Sequence, residues 1–371
     1  MIKGESIIMN MKKLSTLGVM FLSIALILAA CGTKNNESKS SESPAASSTA
    51  SNGSGATSGG EINALYYVNS TLGDKSFFDS AQAGMDRAVK ELGIKSKTVE
   101  GGANSADWAS GLEAVVASKK YNVVVVGTSQ MIDVTKDLAE RYPDIKFIFF
   151  DDLIEGVPNV YSMLYSQSEG SFLAGAFAAL VTTNTELKGA NPDKVVGFVG
   201  GMDIPIINDF KSGYEQGAAY VDKDVKVVTS YVGDFVNAPK GKELGLAQID
   251  SQKADIVFGV ASAAGLGTLE GANERGVYSI GVDANQNPLY PGSVLTSMLK
   301  NVDQSVFRAL ELLAKGELPL GSGEVLGIKE GGVGLAKDDL YEKNVPQSIR
   351  DKMKEIEDKL AKGEITVKSS L

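Results

Sequence analysis

The chain has no histidine and a single cysteine, Cys31, among 371 residues. Without histidine, a Ser-His-Asp triad and a histidine-ligated metal are excluded. Without a second cysteine, disulfides and thiolate metal sites are excluded as well. Basic charge is also short: 36 lysines and arginines stand against 46 aspartates and glutamates, a formal charge of −10. That balance argues against nucleic acid as a partner. No Walker-type phosphate loop is present. The glycine cluster GLGTLEG (265–271) opens a helix after a strand, but its G-x-G-x-x-x-G spacing is one residue too long for a dinucleotide fingerprint. No cofactor and no metal are expected.

The apolar run Leu17 to Leu28 is short for a spanning helix, which needs about 20 residues. Lys12 and Lys13 precede it, and Leu28-Ala29-Ala30-Cys31 ends it with small residues ahead of the cysteine. This is the pattern of a secretory signal closed by a lipobox. Residues 1–30 are expected to be removed, leaving Cys31 to carry lipid as an anchor rather than a span. Loss of three lysines and one glutamate moves the formal charge to −12. Residues 31–60 are mainly Ser, Ala, Gly and Asn. Such a segment cannot bury enough surface to order itself and reads as a flexible tether. The expected address is the extracytoplasmic face of the cell membrane, lipid-anchored.

From residue 61 onward, short β-branched and aromatic runs alternate with stretches of helical spacing. The runs are 62–68, 96–101, 121–127, 145–151, 194–200, 225–232, 254–260 and 278–283. The amphipathic stretches fall at 79–92, 106–119, 131–142, 168–183, 205–221, 238–252, 264–275 and 302–315. Continuous apolar strands are buried on both faces, which predicts parallel sheets covered by helices. Some 310 residues exceed what one core usually serves, so the expected class is α/β with two parallel-sheet lobes. In open α/β sheets ligands bind beyond the carboxyl ends of the strands. The unusual residues stand there: GDKSFFD (73–79), Asp151-Asp152, Gly201-Met202-Asp203, Gly233-Asp234-Phe235, Ala261 to Gly265, and Asp283-Ala284-Asn285.

Phe77 or Phe78 from one lobe and Phe235 from the other can sandwich a flat ring, although a phenylalanine at a helix start also packs on its own lobe. Asp74, Asp151 and Asp283 would accept hydrogen bonds from a neutral ligand rich in hydroxyls, since an ionised carboxylate only accepts. Each is equally what a helix N-cap or a tight turn uses. Acids would repel a phosphate, so a sugar or nucleoside fits and a nucleotide does not. Lys300, after the run 294–299, either neutralises one of these acids and donates to the ligand or is a solvated strand end. A pair of carboxylates can also do acid/base chemistry, which keeps a nucleoside hydrolase as a rival to a binding module.

Nine segments make the pattern specific, among them GDKSFFDSAQAGMDRA, SEGSFLAGAFAALVT, KVVGFVGGMDIPIINDFKSGYEQGAAYV and PGSVLTSMLKNVD. Over residues 62–336 the chain resembles the basic membrane protein family, bacterial lipoproteins that include the purine nucleoside receptor A type. The resemblance implies a type I periplasmic-binding fold with a three-segment hinge and a ligand cleft between the lobes. It implies lobes of 61–164 plus about 291–319, and 165–290 plus about 320–371, with crossings near 164, 290 and 320. It implies a monomer that captures a purine nucleoside and delivers it to an ABC permease with separate ATPase subunits, without catalysis. Carried over by position, Phe77 and Phe235 would stack on the base, Asp151 would stand at its edge, and Asp283 and Lys300 would hold the ribose. Asp74, Gly265, Met202 and Asp203 would line the same pocket. The family usually reads Asp-x-Ser-Phe-Asn where this chain has Phe78, and a phenyl ring can neither donate nor accept as an amide does. Base preference stays open, as do a sugar ligand and a ligand-reporting sensor role.

Overall fold

Residues 61–371 are described by the structure, a computed structural model; the signal, Cys31 and the tether lie outside the described residues. The first lobe runs β1 (Asn63–Val68), α1 (Phe77–Leu92), β2 (Lys95–Glu100), α2 (Trp108–Ala117), β3 (Val123–Gly127), α3 (Ile132–Arg141), β4 (Lys146–Phe150) and β5 (Val160–Tyr165). The second begins with α4 (Gln167–Thr182) and continues β6 (Val195–Gly200), α5 (Pro205–Val221), β7 (Lys226–Tyr231), α6 (Ala238–Asp250), β8 (Ala254–Val260), α7 (Ser262–Arg275), β9 (Tyr278–Asp283) and β10 (Val294–Lys300). The chain then returns through α8 (Val302–Lys315) and β11 (Gly323–Leu326) and ends in β12 (Val333–Leu335), α9 (Asp339–Asn344) and α10 (Gln347–Ala361).

The strands form two six-stranded sheets, ordered β11-β5-β4-β3-β1-β2 and β12-β10-β9-β8-β6-β7. Every pairing is parallel except β10 with β12. The local reasons are those of parallel sheets. All five residues of β3 and all seven of β8 are buried, because helices cover both faces of a central strand. The edge strands β2 and β7 stay half exposed, and their residues are correspondingly more polar. Helix α1 buries Phe77, Phe78, Ala81, Met85 and Ala88, a stripe at helical spacing, and stops at Gly93, whose φ of 69° is the left-handed cap that glycine adopts without a Cβ penalty.

The lobe exchange differs from the sequence expectation at two crossings. Strand β10 pairs with β9, from Val294↔Ser279 to Leu299↔Asp283, and so belongs to the second sheet. Strand β11 pairs with β5, from Gly323↔Ser162 to Leu326↔Tyr165, and so belongs to the first. The chain therefore crosses after Tyr165, after Lys300, and between Leu326 and Val333, rather than near 290 and 320. Strand pairing decides these positions, and pairing is not written in a four-residue run. Helix α8 packs on α1, which holds it in the first lobe. Strands β5, β11 and β12 are additions to the sequence reading.

Candidate functional site

A cavity of about 290 Å³ opens between the carboxyl ends of the two sheets, near the lower end of the roughly 300–1,000 Å³ usual for small-molecule sites. Strand order fixes how its walls are laid out. Going outward from the hinge, the first lobe presents Asp151 after β4, Thr128 to Gln130 after β3, Asn69 after β1, and Trp108 after β2. The second presents Lys300 on β10, Asp283 on β9, Ala261 and Ser262 after β8, Met202 after β6, and Phe235 after β7. Charge thus gathers on the hinge side, and Trp108 and Phe235 stand at the rim.

The hinge-side group is a compact charged cluster. Lys300, only 2% exposed, donates to Asp151 across the cleft. Its ammonium also stands 4.9 Å from the Phe210 ring centre and 5.4 Å from those of Phe77 and Tyr165, close enough for cation–π attraction in a desolvated setting. Asp283 accepts from Ser76 Oγ at 2.6 Å. Burial pushes its carboxyl up to about 6, against the opposing pull of Lys300 and the Ser76 hydrogen bond. Burial raises the carboxyl of Asp151 too, with Lys300 again opposing.

Backbone strain marks the same place. Among the described residues eight non-glycine positions have positive φ, and four of them, Thr128 (76°), Asp151 (75°), Ser262 (49°) and Asp283 (63°), line this cavity. Such conformations cost about 1–3 kcal/mol each and persist where surrounding contacts over-determine them. Here they turn the chain sharply at strand ends so that the side chains face the cleft.

The rings differ in how free they are. Phe77 and Phe78 open α1 and meet edge to face at 5.1 Å, and Phe77 also packs 5.3 Å from Phe150. Both touch the cavity yet are only 8% and 7% exposed, so they form its wall more than a movable jaw. Phe235 packs against Gly201, where an added Cβ would come within 2.3 Å of ring carbons. That glycine is what lets the ring settle on the end of β6.

Three residues expected in the pocket do not line it. The buried carboxylate of Asp74 accepts from the backbone N–H groups of Ser76, Phe78 and Asp79 at 3.0–3.1 Å, capping the start of α1, and from Ser262 Oγ of the other lobe at 2.9 Å. Helix starts leave N–H groups unpaired, and an acid there satisfies them. Asp203 is exposed and accepts from Asn208 Nδ2 at 2.8 Å. Gly265 sits inside α7, where a Cβ would stand 2.8 Å from the Gly259 carbonyl oxygen; its role is to let the helix approach β8. Phe77, Phe78, Asp151, Met202, Phe235, Asp283 and Lys300 do line the cavity.

The sequence reading missed Trp108, Asn69, Thr128 and Phe210. Trp108 and Asn69 follow strands β2 and β1, so the strand-end rule that singled out Phe235 could have found both. Among the described residues, no group of three or more His, Cys, Asp or Glu side chains is arranged to hold a metal. No helix among them is long and apolar enough to cross a membrane.

Comparison with known proteins agrees with this geometry. The Bmp family, described as "ABC transporter substrate-binding protein PnrA-like", matches residues 62–366. Basic membrane protein A2 of Borrelia garinii subsp. bavariensis is 30% identical over 325 residues, 85% of this chain and 90% of that protein. An uncharacterized lipoprotein of Pyrococcus furiosus is 32% identical over 273 residues, 71% of this chain and 66% of its own. A solute-binding protein of an ABC transporter system from Aeropyrum pernix superposes with a TM-score of 0.76 at 28% identity, covering 84% of this chain and 94% of the other. The two-lobed α/β architecture is thus that of the periplasmic-binding proteins, and the chain belongs to the Bmp family of PnrA-like ABC transporter substrate-binding proteins.

Proposed function

We propose that the protein captures purine nucleosides for an ABC permease, holding the ribose at the Lys300–Asp151–Asp283 cluster and the base between aromatic walls toward the rim. The observation that carries this reading is one cavity that combines a charged cluster able to accept and donate to hydroxyls with aromatic walls, Phe77 and Phe78 beside that cluster and Trp108 and Phe235 toward the rim. Carboxylates accept from ribose hydroxyls, the ammonium donates to their oxygens, and a flat base gains stacking on ring faces. A phosphate would meet two acids, which disfavours nucleotides. The reading includes a lipid anchor at Cys31, a monomeric state and an extracytoplasmic location, supported by relatives named as lipoproteins and membrane proteins. Substrate-binding proteins of this kind bind small ligands and work with permease and ATPase components rather than as enzymes.

A calorimetric panel of adenosine, guanosine, inosine, cytidine, ribose and adenine on the purified protein tests the reading. Purine nucleosides should bind, with ribose and adenine far weaker, and Trp108, the chain's only tryptophan, should report occupancy by its emission. Phe235→Ala should weaken the best nucleoside by about 1–3 kcal/mol, the usual loss for base–aromatic stacking. Binding of ribose as tight as that of nucleosides would replace this reading with a sugar site, and product formation on long incubation would replace capture with hydrolysis.

A further inference from the structure

Helix α5 brings Ile206, Ile207 and Phe210 to the cavity wall, and the Phe210 ring centre stands 4.9 Å from the Lys300 ammonium. Next to Phe210 is Asp209, a carboxylate only 1% exposed. Its donors come from far along the chain: Ser369 Oγ at 2.8 Å, the Ser370 N–H at 2.6 Å and Ser370 Oγ at 3.3 Å all meet Asp209 Oδ1. Among the described residues, no other group bonds this carboxylate. Seven residues on, the same face of α5 carries Gln216, whose amide pairs with the Lys368 backbone in both directions. Its Nε2 donates to the carbonyl at 2.8 Å, and its Oε1 accepts from the N–H at 2.9 Å.

The segment that supplies these contacts leaves α10 through Gly363, whose φ of 75° turns the chain, and a Cβ there would stand 3.7 Å from Lys329 Nζ in the third crossing. Ile365 and Val367 then pack, half-buried, against the main core, while Lys368, Ser369 and Ser370 stay exposed. The strip thus starts beside the hinge, runs against the direction of α5 from Gln216 to Asp209, and ends over a buried acid one residue from the cavity wall. A surface strip held by a few local bonds can lift without global unfolding. When it lifts, Asp209 loses these donors, and a buried carboxylate without donors is costly.

We infer that residues 365–370 form a strap that positions the α5 wall of the ligand cavity, with Asp209 as the positioning residue through which it acts. Released from the strap, the first turns of α5 shift to bring Asp209 to water, and Ile206, Ile207 and Phe210 move with them. Strap and ligand are therefore coupled: the factor by which the attached strap raises ligand affinity is the factor by which bound ligand favours attachment. This concerns the wall and not the identity of the ligand, so it goes beyond the nucleoside reading and does not rest on it.

Hydrogen exchange on the ligand-free wild type, Asp209→Ala and Asp209→Asn is the first test. Amides of residues 208–212 should exchange about tenfold or more faster in Asp209→Ala, the scale of losing hydrogen bonds to a charged group, while those of α8 in the first lobe stay unchanged. Asp209→Asn keeps an acceptor oxygen for the serine donors and should stay within about threefold of the wild type. In Asp209→Ala the tightest binder of the calorimetric panel should lose about fivefold or more in affinity, and in the wild type it should slow exchange at residues 367–370. That protection is what a strip serving stability alone would not show. Unchanged exchange at 208–212 in Asp209→Ala overturns the inference, as does unchanged affinity or the absence of ligand-induced protection. Where Asp209→Ala does not fold, Ser369→Ala combined with Ser370→Ala removes both hydroxyl donors with the acid in place and should act in the same direction. Silence of the whole panel overturns the nucleoside reading alone, and the ligand-free exchange then decides.

Discussion

The carboxyl of Asp283 titrates near 6 because it is buried, while Lys300 and Ser76 favour its ionised form. A carboxylate accepts hydrogen bonds at both oxygens, whereas the protonated acid gives up part of that capacity. If Asp283 receives ribose hydroxyls, nucleoside affinity should rise as pH climbs through about 6 and level off above it, because the binding-competent form is the ionised one. Calorimetry at several pH values should show this slope in the wild type and its absence in Asp283→Asn. Folding stability responds with the opposite sign. A folded-state value raised above the unfolded 3.8 means that the native state holds the proton more tightly. This group's contribution is therefore fullest below about 4 and is lost as pH rises through about 6. Asp255, buried at the start of β8 and also raised to about 6, adds a change of the same sign.

At the scale of elements, helices α4 and α5 approach so closely that three positions tolerate only hydrogen. A Cβ at Gly175 would stand 2.0 Å from the Tyr214 carbonyl oxygen, one at Gly213 2.2 Å from that of Ser168, and one at Gly217 1.9 Å from that of Phe172. These neighbours are backbone atoms and cannot swing away. Gly217→Ala should therefore force the helices apart and lower stability by about 1–3 kcal/mol, the usual cost of overpacking. Chemical denaturation checks this, with Gly334→Ala as the control, since nothing lies within 4 Å of a Cβ there. The consequence reaches the site. Helix α4 begins two residues after β5, so its rigid mounting carries any rotation at the first crossing into the whole second lobe.

For the whole molecule, the cleft is closed by contacts that the protein makes with itself. Ser262 of the second lobe donates to Asp74 of the first, Ser76 of the first donates to Asp283 of the second, and Gln286 Nε2 donates to the Lys75 carbonyl at 3.0 Å. Together with the Lys300–Asp151 pair they favour closure without a ligand, and a ligand adds to that preference. Ser262→Ala removes one tie, so the ligand-free protein should open more often. Its radius of gyration in solution scattering should increase, and nucleoside affinity should fall by about 0.5–1.5 kcal/mol, the net worth of one hydrogen bond. Scattering and affinity identical to the wild type would show that the ties do not set the open–closed balance.

Periodicity and residue type alone determined the alternation of buried strands and helices, because a strand covered on both faces is nearly continuous in apolar residues, as 123–126 and 256–260 are. The strand-end rule then found Phe77, Phe78, Asp151, Met202, Phe235, Asp283 and Lys300 at one cavity. It could not tell which acids face the cavity: Asp74, in the loop after β1, and Asp283, at the end of β9, are both acids beyond a strand, but only the fold shows that Asp74 faces the N–H groups of α1. Nor could it place β10 and β11, whose sheets are chosen by pairing with β9 and β5 far along the chain. The bond from Ser369 to Asp209 belongs to the same class of facts. A donor and an acceptor 160 residues apart meet only once α5 and the segment after α10 have come together.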